Sequence, residues 1–424
     1  MKLVAPNGPL NGVVQLPVSK SIANRLLIIS DLAAEQVMLN LFQHLGSQTL
    51  KQVQGDVLES LPEDIRVLNA ALSSNSSEIN IGMAGTAMRF LTACYSVQEK
   101  KTVLLTGDAR MKQRPIAELV DALTTLGAEI EYLEDVGFPP LLIKGKRLEG
   151  GEVEISASVS SQFVSALMMI APRMKNGLTI SLDGKILSRP YIELTAVCMR
   201  QCGIDVLIDG NAIKIPAGEY QLPHVEVETD WSAASYFYAL AAAKPNSKLL
   251  LKGLKLNSPQ GDSILADWFD KMGVSSVQVE SGVEVSSSNK IDFPSELDFT
   301  ANPDLAQTFA FLSATLGKEL KLTGLDNLRL KETDRVAALK TELEKLGANV
   351  SIDENTMFVS GSVSVREARI KTYNDHRMAM AAVVLIVGAY GNTPVVEIEN
   401  MPVVVKSFPT FWQQLQNLGF TITE

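Results

Sequence analysis

The chain has 424 residues, of which 46% are apolar and 20% charged, and this composition is typical of a soluble globular protein large enough for two domains. Its net charge of −10 disfavours a nucleic-acid-binding protein, which would normally carry a basic surface. No apolar run approaches the roughly 18 residues of a membrane-spanning helix, and no apolar signal core follows Met1. We therefore expect a cytoplasmic protein that does not associate with a membrane.

Basic and hydroxyl side chains gather where the first predicted helix begins. A strand-like run leads into residues 17–25 (PVSKSIANR), and an apolar helical run follows. Ser19 or Ser21 stands where an N-cap is expected, and Lys20 and Arg25 fall in the first turn or just beyond it. The helix dipole repels cations there by roughly 0.3–1 kcal/mol, and a bound anion would remove the conflict. The alternative is a solvated helix start whose basic side chains reach away from the dipole.

The three cysteines, Cys94, Cys198 and Cys202, lie in apolar segments with a helical pattern. Cys198 and Cys202 have the spacing of two metal ligands on one helix. No third or fourth ligand stands near them, and the chain has only three histidines. We therefore interpret the cysteines as buried, reduced thiols of a cytosolic protein, and we expect no metal or organic cofactor.

One pattern recurs along the chain: a helical segment ends in an apolar residue, a glycine follows, and a short β-rich run comes next. Each glycine suits the C′ position, where the chain leaves a helix through a left-handed turn. A sixth copy, without the glycine, ends near Leu72. Six units of about 70 residues predict internal duplication. The glycines of the five clear copies lie 70 to 76 residues apart: Gly127, Gly203, Gly273, Gly347 and Gly419.

Each repeat combines helices with short strands, which predicts an α/β or α+β fold. Alternating apolar and polar residues predict strands at 152–156 and 225–228. We expect the chain to cross between domains near Pro17–Ser19 and near Glu228–Asp230. Several predicted helices are rich in Ala, Leu and Met, as are helices buried on most sides: Arg114–Leu126, Gln162–Ile170, Ala233–Ala243, Leu305–Leu316 and Arg335–Leu346.

Other predicted helix starts also carry groups that bind anions. Ordinary capping would explain any one of them. As a set, the cations would repel one another if they converged, and two phosphates and a carboxylate would offset that repulsion. The cations at or near helix starts are Lys20, Arg25, Arg114, Lys331, Arg335, Arg377 and Lys406.

These motifs match those of a known family, and the chain resembles the 5-enolpyruvylshikimate-3-phosphate (EPSP) synthases. The matching motifs occur in the same order as in the family and cover nearly the whole chain. It departs from the family pattern at Val18, Met83 and Phe90, among others. The matching stretches are PVSKSIANR, GMAGTAMR, ARMKQRPI, SSQFVSALMM, SRPYIELT, NSPQGD, NLRLKETDR, NDHRMAM and the terminal VVVKSFPTFW.

The resemblance implies a two-lobed inside-out α/β barrel, in which each lobe contains three copies of a small βαβαββ-type unit. This agrees with the six repeats. The N-terminal strand of the family returns to the C-terminal lobe, so one lobe is expected to comprise residues 1–18 plus 230–424 and the other residues 19–229. The active site would lie in the cleft between them. We also expect a monomer.

The resemblance also implies site residues, carried over motif by motif. The predicted shikimate-3-phosphate site comprises Lys20, Ser21, Arg25, Ser160, Ser161, Gln162, Ser188, Tyr191, Asp304, Asn327 and Lys331. The predicted phosphoenolpyruvate site comprises Lys20, Gly85, Arg114, Gln162, Arg335, Arg377 and Lys406.

The implied reaction, a step of aromatic amino acid biosynthesis, joins the 5-hydroxyl of shikimate 3-phosphate to C2 of phosphoenolpyruvate and releases phosphate. C2 is a poor electrophile until C3 is protonated, so the site needs an acid at C3 and a base at the hydroxyl. Asp304 is the predicted base. Either Lys20 or Glu332 is the predicted acid, and the sequence leaves that choice open.

Two other functions are alternatives to this one. The sister transferase that adds enolpyruvate to UDP-N-acetylglucosamine shares the fold but typically carries a loop cysteine, whereas all three cysteines here lie in helical segments. A non-catalytic protein on the same repeat would have lost Asp304, Lys20 or the arginines, and none is lost. The sequence therefore favours an EPSP synthase.

Overall fold

The computed structural model describes residues 2–33, 61–156, 158, 160–223, 225, 227–363, 367–387 and 395–423. The chain divides into two compact units. Unit 1 comprises Met1–Ser19, Glu59–Pro62 and Glu228–Glu424, and unit 2 comprises Lys20–Leu58 and Glu63–Val227. Within the ranges described, no helix is both long enough and apolar enough to cross a membrane.

Helices α1 to α12 are, in chain order, Lys20–Leu32, Glu63–Leu72, Gly85–Ser96, Ala117–Thr125, Ser161–Ile170, Arg189–Gln201, Trp231–Ala243, Leu265–Lys271, Ala306–Leu316, Arg335–Lys345, His376–Ala381 and Phe411–Asn417. Strands β1 to β20 are Lys2–Val4, Asn11–Gln15, Glu78–Asn80, Thr102–Thr106, Glu129–Tyr132, Leu141–Lys144, Gly151–Ser156, Leu178–Asp183, Leu207–Asp209, Ala212–Ile215, Lys248–Lys252, Val274–Val279, Gly282–Ser287, Glu296–Asp298, Leu320–Thr323, Asn349–Asp353, Thr356–Ser360, Glu367–Ile370, Val395–Ile398 and Thr421–Thr423.

The described strands form five four-stranded sheets that share one topology. In each sheet an edge strand lies parallel to its neighbour, and the other two strands are antiparallel. The order β7-α5-β8-α6-β9-β10 shows the predicted βαβαββ unit. A sixth unit would include residues 34–60, which lie outside the described residues. The sheet orders are β3-β4-β6-β5, β7-β8-β10-β9, β2-β11-β13-β12, β14-β15-β17-β16 and β18-β19-β1-β20.

The N-terminal segment completes two sheets of unit 1. Strand β2 lies parallel to β11, with Val14 opposite Leu251. Strand β1 lies between β19 and β20, so that Leu3 faces Val396 on one side and Ile422 on the other. Residues at both ends of the chain therefore share one sheet.

The predicted glycine turns are confirmed. All five glycines have left-handed φ values, between 82° and 100°. At Gly127 the next residue, Ala128, donates its N–H to the carbonyl of Leu123 at 2.9 Å, which closes the helix end in a Schellman motif. The same bond follows Gly203, Gly347 and Gly419. A side chain with a Cβ would be strained at these turns, which explains why the pattern recurs with glycine.

The predicted helices are confirmed with small shifts at their ends. The largest shift is at α4, which begins at Ala117 rather than Arg114 because Pro115 stands between a short turn and the helix. The predicted strand at 225–228 is wrong, since none of its described residues lies in a strand. Its backbone pairs with residues 17–19 instead: Ser19 N–H donates to the carbonyl of Glu228 at 2.7 Å.

Helices α7, α9 and α11 lie in the apolar core of unit 1. Every residue of α7 except Ser232 is buried, as its Ala-rich sequence predicts. Phe237 of α7 and Phe309 of α9 are fully buried among other aromatic rings. These helices pack on all sides, and a buried hydroxyl such as that of Ser235 in α7 hydrogen-bonds within the core, to Thr308 of α9. Asp230 and Asp375 cap α7 and α11.

Candidate active site

The start of α1 places Lys20 and Ser21 in unit 2. Lys20 is the first residue of the helix, and its Nζ donates to Oδ2 of Asp64 at 2.8 Å. The Asp64 side chain, on α2, is only 6% exposed. Ser19 precedes the helix, but its buried hydroxyl makes no hydrogen bond within the described residues. The Lys20–Asp64 ion pair is therefore the main polar feature of this helix start.

Arg25, one turn further along α1, points into the interior of unit 2. Its guanidinium donates to Oγ1 of Thr195 at 2.7 Å and to Oγ of Ser165 at 3.1 Å. It also donates to the carbonyl of Tyr191 at 3.0 Å and lies over the ring of Phe90. Burial lowers the pKa of Arg25 to about 10, so it stays charged at neutral pH. Arg25 thus ties α1 to α5 and α6, and its contact with shikimate 3-phosphate stays a prediction.

Arg114 lies against Gly85, the first residue of α3. A Cβ added to Gly85 would come within 2.4 Å of Nη1 of Arg114, so glycine leaves the room that the guanidinium occupies. Arg114 is 7% exposed, and its Nε and Nη1 make no hydrogen bond within the part of the chain that the structure describes. Buried donors without partners are costly. A negative ligand at this helix N-terminus would satisfy them and would also be stabilised by the helix dipole.

The start of α5 gathers the predicted serines and glutamine. Ser160 is the N-cap, and its Oγ accepts from the backbone N–H of Gln162 at 3.3 Å. Ser161 is the first helical residue and is buried. The amide of Gln162 donates to Oγ1 of Thr86 at 3.1 Å. Because Thr86 follows Gly85 in α3, this contact brings the starts of α5 and α3 together.

Ser188 and Tyr191 lie at the start of α6. Ser188 is the N-cap and has a φ of 56°, a left-handed conformation that residues with a side chain rarely adopt. Its side chain makes no capping hydrogen bond. Strain of this kind is often found at functional positions. We refer to the following residues as the unit 2 cluster: Lys20, Ser21, Asp64, Gly85, Arg114, Ser160, Ser161, Gln162, Ser188 and Tyr191.

In unit 1, Asp304 lies between two arginines. It belongs to the short turn Pro303–Leu305 that precedes α9. Its Oδ1 accepts from Nη1 of Arg335 at 2.9 Å, and its Oδ2 accepts from Nη2 of Arg377 at 2.7 Å. The arginines stand at the starts of α10 and α11. The fold therefore brings three helix starts together around one carboxylate.

Arg335 is 1% exposed and is surrounded by carboxylates. Besides Asp304, it donates through Nε to Oδ2 of Asp375 at 2.7 Å and through Nη2 to Oε2 of Glu332 at 3.1 Å. Burial by itself would lower the pKa of Arg335, but the carboxylates, Asp375 foremost, raise it above its usual value. Asp375 also caps α11 by accepting from the backbone N–H of Arg377 at 2.9 Å.

Glu332 links Arg335 to Lys406. Its Oε1 accepts from Nζ of Lys406 at 2.8 Å, at the end of the turn Met401–Lys406. Lys331 adds positive charge near Asp304, and Asn327 lies half-buried in the turn Asp326–Leu330. We refer to the following residues as the unit 1 cluster: Asp304, Asn327, Lys331, Glu332, Arg335, Asp375, Arg377 and Lys406.

Asp304 remains ionised although it is mostly buried. Burial raises the pKa of this carboxyl, but Arg377, Lys331 and Arg335 together hold it well below its usual range. Glu332 opposes them without reversing the direction. In this state Asp304 is a weak base. Its strength as a proton acceptor therefore depends on whether another anion competes with it for the N–H donors of the arginines.

A sequence model of one family, described as EPSP synthase (3-phosphoshikimate 1-carboxyvinyltransferase), matches residues 4–415. A Bacteroides fragilis (strain YCH46) protein named 3-phosphoshikimate 1-carboxyvinyltransferase is 41% identical over 428 residues, which cover 99% of this chain and 98% of the relative. The chain belongs to the EPSP synthase family. A Haemophilus influenzae (strain PittGG) relative of the same name is 37% identical over 443 residues and covers 98% of both chains.

EPSP synthases transfer the enolpyruvyl group of phosphoenolpyruvate to shikimate 3-phosphate, and the predicted activity is confirmed at the level of the family. A solved EPSP synthase structure from Acinetobacter baumannii has a TM-score of 0.73 to this chain, with 20% identity, and covers 100% of this chain and 99% of that one. This similarity confirms the predicted two-lobed α/β fold.

Sequence reasoning missed the carboxylates that hold the cations of this chain in place. Asp64 lies 44 residues from Lys20, and Asp375 lies 40 residues from Arg335. Asp375 carried a local signal, because it stands at an N-cap position just before His376 and Arg377. No local signal indicates that it also binds Arg335.

The prediction of buried, reduced cysteines is confirmed. All three are free and at most 1% exposed. Burial, with the nearby Asp31 carboxylate, raises the pKa of Cys94 well above its usual value, so its thiol stays protonated. None of the three is therefore available as the loop cysteine of the sister transferase. No group of three metal-binding side chains occurs among the residues that the structure describes.

Proposed function

We propose that the chain performs the family's enolpyruvyl transfer with the two clusters described above, and that Asp304 is the base. The observation that carries this proposal is the position of Asp304 between Arg335 and Arg377. Both arginines are predicted to bind phosphoenolpyruvate. The base and the cations for the negatively charged substrate are therefore already in contact, so binding and base strength are linked.

The link works through the charge of the arginines. Without a ligand, both guanidinium groups lower the pKa of Asp304. The carboxylate and phosphate of phosphoenolpyruvate would compete with Asp304 for the same N–H donors. Each hydrogen bond that Asp304 loses raises its pKa toward the range of a useful base. Asp304 thus becomes basic when the electrophile is bound.

The acid at C3 is assigned to Lys20. Its ammonium group carries protons, and it donates a hydrogen bond to the carboxylate of Asp64 at 2.8 Å. Glu332, the other candidate, accepts from Arg335 and from Lys406, and two cations favour the ionised form of a carboxylate. An ionised carboxylate has no proton to give. Glu332 is therefore assigned to holding Arg335 and Lys406 in place.

The reaction then proceeds by addition and elimination. Asp304 takes the proton of the 5-hydroxyl as its oxygen attacks C2, and Lys20 protonates C3, which becomes a methyl group. The neutral amine of Lys20 then takes one proton back from the methyl group, which restores the double bond as phosphate leaves from C2. Arg114, beside Gly85, would bind negative charge on phosphoenolpyruvate through its two unsatisfied donors.

A phosphate-release assay with three acceptors tests this function. Purified protein is mixed with phosphoenolpyruvate and either shikimate 3-phosphate, shikimate or UDP-N-acetylglucosamine. We expect rapid release with shikimate 3-phosphate, far slower release with shikimate and none with the nucleotide sugar. Faster release with UDP-N-acetylglucosamine would assign the chain to the sister activity instead.

Isotope exchange tests the assignment of the acid. In D₂O, reversible protonation of C3 introduces deuterium into the enolpyruvyl methylene, which mass spectrometry detects. We expect Lys20→Met to abolish both turnover and deuterium incorporation. Glu332→Gln should keep measurable incorporation, because Lys20 remains. If Glu332→Gln alone abolished incorporation, the roles would have to be exchanged.

The proposal also includes the predicted monomeric state and cytoplasmic location. Every predicted site residue lies on this one chain, so no second copy is needed to complete the set. The free, buried thiols agree with a reducing compartment. Light scattering on the eluting protein should give the mass of one chain; a dimer mass would contradict the monomer.

A further inference from the structure

Asp262 is a buried carboxylate that the mechanism above does not use. It lies in the turn Gly261–Ile264, within the NSPQGD motif, and is 4% exposed. Its Oδ2 accepts from the hydroxyl of Ser232 at 2.5 Å, and its Oδ1 accepts from the side-chain amide of Asn302 at 3.1 Å. A carboxylate buried to this degree needs such partners. Asp262 therefore holds two separate segments at one point.

Asn302 connects this carboxylate to Asp304. It immediately precedes the turn Pro303–Leu305 that carries Asp304. Its backbone N–H donates to the carbonyl of Phe299, and its carbonyl accepts from the N–H of Leu305, both at 3.1 Å. The backbone of Asn302 thus belongs to the turn, while its side chain is held by Asp262. The contact with Asp262 therefore holds the residue that begins the turn carrying Asp304.

The start of α7, which Asp262 contacts through Ser232, is also held by a second residue of the NSPQGD motif. Gln260 of the same motif donates to the carbonyl of Thr229 at 2.8 Å and accepts from the N–H of Trp231 at 3.2 Å. These bonds fix the start of α7, where Ser232 lies. The NSPQGD motif therefore holds both the start of α7 and, through Asp262, the turn before α9.

The charges of Asp304 on the turn and of Arg377 on α11 act on Asp262, and the neutral Ser232 of α7 donates a hydrogen bond to it. Burial, followed by the charge of Asp304, raises the pKa of Asp262 to about 6, against the opposing effect of Arg377. Repulsion between two carboxylates is mutual, so an ionised Asp262 also makes Asp304 more basic. This effect opposes that of the arginines.

We propose that Asp262 is a positioning residue for the transfer reaction: through Asn302 it holds the turn that carries Asp304, and through its charge it strengthens Asp304 as a base. The inference rests on the proposed role of Asp304. Asp262 itself need not touch either substrate. It gives the NSPQGD motif a part in catalysis that the resemblance left unassigned.

Two substitutions separate the geometric effect from the effect of charge. Asp262→Asn keeps an oxygen that accepts from Asn302, and its amide can donate to Ser232, so it removes only the charge. Asp262→Ala removes both contacts. Asp267→Asn is a matched control, because Asp267 lies five residues further along, on α8, and is exposed. Asn302→Ala breaks the contact with Asp262 from its other end.

The measurements are kcat and both KM values from pH 5 to 9, with melting temperatures. We expect Asp262→Asn to lower kcat roughly tenfold above pH 7, the effect of about one pKa unit in Asp304 on a proton-transfer step. Both KM values should stay within about twofold. The wild-type decline in kcat near pH 6 should flatten in this variant, because Asp262 no longer gains a proton there. The control should match the wild type throughout.

Asp262→Ala and Asn302→Ala should each lower kcat further, and the double variant should be no worse than the poorer single variant, because both break one contact. Wild-type kcat and an unchanged acidic decline in Asp262→Asn would overturn the inference, as would additive losses in the double variant. Asp304→Ala is measured in the same series. Near-normal turnover there would overturn the role of Asp304 as base, so the two failures can be told apart.

Discussion

Arg335 in unit 1 and Arg114 in unit 2 are both buried arginines that are predicted to bind phosphoenolpyruvate, but their surroundings differ. All three nitrogens of the Arg335 guanidinium donate to carboxylates, those of Asp375, Asp304 and Glu332. Nε and Nη1 of Arg114 donate to nothing among the described residues. One arginine is thus neutralised within the protein, and the other retains donors for a ligand.

If these arginines bind phosphoenolpyruvate as proposed, the difference indicates two kinds of anion binding. At Arg114 a ligand satisfies buried donors without displacing anything, so most of the new interaction adds to affinity. At Arg335 and Arg377 a ligand must compete with Asp304, so part of the interaction is used to loosen that carboxylate. We infer that the unit 2 cluster chiefly contributes binding, whereas the unit 1 cluster links binding to chemistry.

Removing Asp304 should have the largest effect on turnover. We expect Asp304→Ala to lower kcat by about 10²–10⁴-fold, the usual contribution of a positioned base, and to weaken shikimate-3-phosphate binding much less. Asp292→Asn, an exposed carboxylate in the same unit, is the control. The measurements are steady-state kinetics and direct binding of shikimate 3-phosphate. Near-normal turnover in Asp304→Ala would show that Asp304 is not the base. It would also contradict the chemical role of the unit 1 cluster.

The two arginines should also differ in their effect on stability. Arg335→Leu leaves Asp375, which is fully buried, without its partner, and breaking such a pair typically costs about 3–5 kcal/mol. Arg114→Leu removes a buried cation with unsatisfied donors, so its free energy of unfolding should stay unchanged or rise slightly. Urea unfolding of both variants measures the difference. Equal losses would show that Arg114 has partners as strong as those of Arg335.

The sequence was most informative where a structural requirement is local. The left-handed turns at the five glycines depend on a few neighbouring residues, and the repeated pattern predicts them; the caps at Ser160, Asp230 and Asp375 depend on equally local contacts. The partners of each charge depend on packing between distant segments. The pairing of Lys20 with Asp64 is one such case, and no local pattern contains it.

The missed strand at 225–228 has a related cause. Its alternating residues predict a half-exposed strand, but the carbonyl of Glu228 instead accepts from the backbone N–H of Ser19. A backbone partner 209 residues away cannot be inferred from alternation alone. The interior contacts of Arg25 could not be inferred either. The motif assigns Arg25 to the predicted site, but it does not indicate that Thr195 and Ser165 accept hydrogen bonds from its side chain.

Loss of the Arg114 side chain should weaken phosphoenolpyruvate binding. We expect Arg114→Ala to raise the KM for phosphoenolpyruvate by about tenfold or more, since a charge-assisted contact is lost, while the KM for shikimate 3-phosphate changes little. Arg147→Ala, an exposed arginine of the same unit, is the control for net charge. Unchanged saturation by phosphoenolpyruvate would contradict the assignment of Arg114 as a ligand-binding residue.

A single methyl group added at Gly85 should have the smallest effect. It tests the contact between Gly85 and Arg114 by changing Gly85 instead of Arg114. In Gly85→Ala the new Cβ would meet Nη1 of Arg114 at 2.4 Å, so the flexible guanidinium must move away. We expect the KM for phosphoenolpyruvate to rise about three- to tenfold, because the donors shift while the charge remains. If displacement of Arg114 is the cause, Gly85→Ala should add little in the Arg114→Ala background. An equal effect in both backgrounds would mean that the methyl group blocks the ligand directly, and Arg114 would then not be the reason for the glycine.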